Sequence, residues 1–109
     1  MDENRWLNVL LPVAQSHAQA VVYHEFVAFL NPRFRGASWK WENFETFAVR
    51  QAEVTAYQSF SDNDWNEFEA LILAAAKSTA RIFAREVLRT SGILEWWPNP
   101  EKVGETHGG

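Results

Sequence analysis

Residues 61–92, SDNDWNEFEALILAAAKSTARIFAREVLRTSG, carry the pattern that decides the fold. Ser61-Asp62-Asn63-Asp64 is a run of short oxygen-bearing side chains, the kind that accept hydrogen bonds from the free N–H groups of a first helical turn. Gly92 supplies the stop, because glycine enters the left-handed conformation that ends a helix without steric cost. Between them Trp65, Phe68, Ile72, Ala76, Thr79, Phe83 and Val87 recur at three- and four-residue spacing, and Leu71, Ala75 and Ile82 widen the stripe on one flank. Such spacing predicts an amphipathic helix over about Asp64 to Thr90 that forms the spine of the core.

The segment before it repeats the pattern on a smaller scale. A helix from about Trp39 to Ser59 puts Trp41, Phe44, Ala48, Ala52 and Ala56 on one stripe, with Lys40, Thr46, Arg50 and Glu53 away from it. Its alanines allow a neighbouring helix to approach closely. Asn31 to Ser38, with Pro32 and Gly36, reads as a loop. Further back, Asp2 can cap a helix over about Glu3 to Leu10, and Pro12 can sit in the first turn of a second one reaching Leu30. One kinked helix fits the same residues. From Val13 to Leu30 the chain is apolar nearly all round, which predicts burial on several sides or cover by a partner.

After Gly92, Ile93 to Pro100 is apolar but too short and proline-rich for a long helix, and 101–109 is a polar tail. The expected fold is therefore all-α, a compact bundle of three to four helices forming one domain over 1–100, with an extended aromatic C-terminal tail.

Composition narrows the function. The chain has 109 residues, 47% hydrophobic residues and a net charge of −4, so it can bury a core and is no disordered acidic segment. It has no cysteine, which excludes disulfides, thiolate catalysis and sulfur-ligated metals and favours a cytoplasmic setting. The polar start and the breaks at Asn8 and Pro12 give neither a signal-peptide pattern nor a membrane span. No nucleophile elbow or phosphate-binding glycine loop is present, so catalysis is not expected. His17 and His24 are seven apart, a spacing that matches neither helical zinc pairs nor di-iron bundles, and no metal or cofactor is expected.

Two constellations remain. Lys77, Arg81, Arg85 and Arg89 recur every four residues and, against the stripe drawn above, form a basic face opposite it. Such a row can track nucleic-acid phosphates. Matching of the helix dipole explains it without any ligand and is the favoured reading, because Asp62, Asp64, Glu67 and Glu69 occupy the start of the same helix.

The other is aromatic. Six tryptophans exceed what one small core needs, and Phe34, Trp39, Trp96 and Trp97 are the candidates for contact with a partner. Glu25 shares a helix side with Ala14, Ala18, Val21 and Phe29, where a carboxylate needs a partner such as Arg33, Arg35, Arg50 or an indole N–H, unless a different side of the helix faces the core and Glu25 lies at the margin. The function these features favour is a small protein-binding module, an inhibitor, adaptor or subunit that occupies a partner's surface, with a basic surface the best match to its acidity. A homo-oligomer is compatible with this, and a nucleic-acid-binding subunit is the alternative.

Overall fold

A computed structural model of the chain describes residues 2–31 and 41–93. All regular structure among them is helical, in three long helices packed around a shared core.

The first helix is continuous from Glu3 to Leu30 but changes pitch: one α turn over Glu3–Arg5, a π segment over Trp6–Leu10, then regular α-helix over Leu11–Leu30. Asp2 caps it, its carboxylate accepting the Arg5 N–H at 3.1 Å. Pro12 explains the π segment. A proline has no N–H and its ring crowds the carbonyl four residues back, so an α-helix entering it loses a bond. Widening the turn so that the Leu11 N–H reaches the Trp6 carbonyl moves the register past the proline. Of the two readings of this stretch, two helices or one, the single helix is the observed one.

The middle helix runs over Phe44–Thr55, flanked by 3-10 turns at Trp41–Asn43 and Ala56–Ser59. Its expected stripe is the buried one: Trp41, Phe44, Ala48, Ala52 and Ala56 are all at most 4% exposed. The long helix spans Asp62–Ser91. Ser61 caps it by accepting the Asp64 N–H at 3.2 Å, and Gly92 closes it at φ 65°, ψ 15°. At Phe68 the backbone leaves the helical region (φ −115°, ψ 15°), setting the opening turn at an angle to the rest. Phe68 is fully buried there, its ring stacked on Trp6 with centroids 6.1 Å apart.

Contacts between helices fix the topology. Arg5 meets Asp64 and Trp6 meets Phe68, so the first and long helices run parallel. His17 lies 3.3 Å from Thr55, and Phe29 packs against Trp41 and Phe44, so the middle helix is antiparallel to both. Aromatic rings fill the end of the bundle near the middle helix's start. Beyond it, Ala48, Ala52 and Ala56 share the core with Ala76, Ala80 and Ala84, and side chains this small let helix axes approach to the lower end of the usual 8–10 Å range.

The seam of the long helix differs from the expected one. Its centre is Phe68, Ile72, Ala76, Ala80 and Ala84, all buried, whereas Thr79, Phe83 and Val87 are half-buried along one edge. Ile82, expected to widen the stripe, is 66% exposed. The core selects Ala80 and Ala84 because two neighbouring helices crowd that line, and larger side chains fit only beside it.

Candidate functional site

The basic row shifts with the seam. Counted from Ala80 at about 100° per residue, Lys77 lies about 60° away, Arg81 about 100°, Arg85 about 140° and Arg89 about 180°. The four do not form one face opposite the core. They wind from its margin to the outer surface, and Lys77 is half-buried.

Two of these cations are engaged. Arg85 donates from Nε to the Glu45 carboxylate of the middle helix, and Arg89 forms a two-point ion pair with Glu86 one turn back. Arg89 holds the Glu86 carboxyl below its ordinary range, chiefly through the hydrogen bond. Arg81 borders a shallow groove that also contains Arg50, Glu45 and Glu53, so the surface around it is mixed in sign.

Phe34, Trp39, Trp96 and Trp97 lie outside the described residues, as do Lys40, Arg33, Arg35 and the tail 101–109. His17 is half-buried against Thr55 and His24 is exposed. Among the described residues no cluster of three or more His, Asp or Glu side chains is placed to hold a metal ion. Among the described residues no helix is long and apolar enough to cross a membrane.

Glu25 sits half-buried beside an open groove of about 630 Å³ between the first and middle helices, lined also by His24, Ala28, Phe47 and Gln51. Burial raises its pKa above the ordinary value, a shift His24 partly opposes. Arg50 forms no ion pair with it. The buried Trp41 indole N–H finds no acceptor among the described residues, so it does not serve Glu25 either.

The outward side of the first helix presents a line of exposed apolar side chains. Val9, Val13, Tyr23 and Val27 are 41–63% exposed, with Ser16 and Ala20 exposed between them. No Asp, Glu, Lys or Arg occurs from Trp6 to His24. The opposite side of the same helix supplies Leu10, Ala14, Ala18, Val22 and Phe29 to the interior. The apolar character all round this block thus resolves into one buried side and one exposed side. Sequence reasoning flagged the block but not these residues, because with both sides apolar nothing in the sequence marks which one faces out.

Comparison of the chain with protein-family models, with curated proteins and with solved structures gives no match.

Proposed function

We propose that this chain is a non-catalytic protein-association module, a small helical bundle that holds another polypeptide against the outward side of its first helix. The observation that carries the reading is the exposed, uncharged line of Val9, Val13, Tyr23 and Val27. Solvent-facing helix sides normally carry charge, and a long uncharged apolar one is characteristic of contact surfaces. An inhibitor, an adaptor and a small subunit of a complex all work by such occupancy, and the cysteine-free composition suits a cytoplasmic setting. The candidates Phe34, Trp39, Trp96 and Trp97 add aromatic anchors to the same reading.

The alternative, a nucleic-acid-binding subunit, draws less support. Arg85 and Arg89 are already paired with carboxylates, and the chain carries a net charge of −4. Capture experiments from extracts of cells that make the protein separate the two. The immobilised chain is expected to retain a defined polypeptide, its own copy included, and Val13→Glu with Tyr23→Glu to lose it while Arg81→Glu with Arg85→Glu does not. An unchanged capture by the glutamate pair overturns the reading. Capture of nucleic acid that falls steeply with added salt establishes the alternative.

A further inference from the structure

The exposed line on the first helix has a spacing of its own. Val9, Val13, Ser16, Ala20, Tyr23 and Val27 follow one another at intervals of four, three, four, three and four residues. That is the a/d repeat of a helix seam with a 3.5-residue period, and all six positions are solvent-exposed. The side chains are also symmetric about residue 18. Turned end over end, the series places Val9 opposite Val27, Val13 opposite Tyr23, and Ser16 opposite Ala20.

From this we infer that the occupant of this face is a second copy of the chain, with the two first helices packed antiparallel about a two-fold axis at residue 18. The inference rests on the protein-association reading above and names its partner.

Three physical features select a like copy. A two-fold contact must be self-complementary, and the apolar–small–apolar order meets itself in the antiparallel direction. Heterologous helix seams choose partners through charges on the positions flanking a and d. Here the flanks outside the core are Pro12, His17, Gln19, His24 and Phe26, with no acid, lysine or arginine among them. An acidic protein also needs an uncharged surface to meet itself, and this side of the first helix supplies one. Ser16 and Ala20 at the centre permit close approach of the two axes, and the bulkier Val13 and Tyr23 then close over the ends.

The size of the contact sets its strength. Residues 9–27 span about 27 Å of helix, and a strip of that length buries on the order of 500 Å² per copy, at the small end of specific interfaces. The dimer is therefore a weak, reversible one, to be sought from about 1 µM to 1 mM protein.

Sedimentation equilibrium across that concentration range tests the association, and the absence of native cysteine makes its direction testable. Ser16→Cys and Ala20→Cys chains, mixed in equal amounts under mild oxidation, are expected to give the mixed disulfide well beyond the twofold excess over either homodisulfide that random pairing produces. Tyr23→Glu, which places two carboxylates in the contact, is expected to weaken dimerisation at least about tenfold. Its circular dichroism should match the parent, since Tyr23 is exposed. A monomeric mass at all concentrations overturns the inference, and so does a mixed disulfide at its statistical share, which marks random encounter, or below it, which marks a parallel contact. If the chain is monomeric yet captures a different polypeptide that the Val13→Glu, Tyr23→Glu chain does not, this inference falls and the broader reading stands. If it is monomeric and captures nothing, both fall.

Discussion

Arg5 grips Asp64 with two hydrogen bonds, Nε to Oδ1 at 2.9 Å and Nη2 to Oδ2 at 2.7 Å, across 59 residues of chain. The pair joins the opening turns of the first and long helices, where Ser61 donates a further hydrogen bond to Asp64 Oδ2. The Arg5 hydrogen bond is the main cause holding the Asp64 carboxyl below its ordinary value of 3.8. A carboxyl depressed on folding adds stability above its unfolded pKa and loses it as the pH falls through the folded one. An NMR titration of Asp64 should therefore show a midpoint below 3.8, moving back toward it in Arg5→Ala. Both groups meet solvent, so the thermal midpoint at neutral pH should hardly change.

The seam of the long helix makes a prediction opposite to the one its hydrophobicity suggests. Ala80 is fully buried between two helices, and Ala80→Leu forces them apart, at a cost of about 1–3 kcal/mol. Ile82 is 66% exposed, and Ile82→Ala should fall within about 0.5 kcal/mol of the parent. Urea denaturation of the two variants checks both. A loss of several kcal/mol for Ile82→Ala would restore the seam drawn from side-chain size.

These two residues show how far the sequence could be read. Where one side of a helix is apolar and the other charged, the period alone located the core, as for Trp41, Phe44, Ala48, Ala52 and Ala56. The caps at Asp2 and Ser61 and the stop at Gly92 were legible because each is a local backbone requirement. The centre of the long helix was not, since pattern reading weights Phe83 and Val87 over Ala80 and Ala84, while close helix approach selects the smaller side chain. Pro12 left two helices and one continuous helix equally open, because the π segment that carries the helix past it is a local register change with no mark in composition. The outward line of the first helix stayed hidden because only the packed bundle assigns its sides.

Trp41 is 4% exposed, yet its indole N–H has no acceptor among the described residues. Burial of an unmatched donor costs free energy that the ring recovers by packing on Phe26, Phe29 and Phe44. Trp41→Phe keeps a ring and removes the orphaned donor, so its loss of stability should stay below about 1.5 kcal/mol. Trp41→Ala leaves a cavity and should cost about 3–5 kcal/mol. The contrast, read by chemical denaturation, checks whether the N–H is dispensable. A Phe variant as damaged as the Ala variant would mean that the donor is satisfied.

Glu25 predicts a pH dependence of the other sign. Burial is the first cause raising its pKa above 4.5, and the nearby His24 opposes the shift. An acid whose pKa rises on folding binds its proton more tightly in the folded state, so stability grows as the pH drops through the folded pKa and is fully gained below the unfolded one. Acidification from pH 7 toward 4.5 should raise the denaturation midpoint by an increment that Glu25→Gln abolishes, the Gln variant being the more stable chain at neutral pH. The carboxyl is only half-buried and remains open to solvent on one side, which keeps the increment under about 1 kcal/mol. Parallel urea melts of the parent and Glu25→Gln at several pH values isolate it, because every other titrating group is common to both chains.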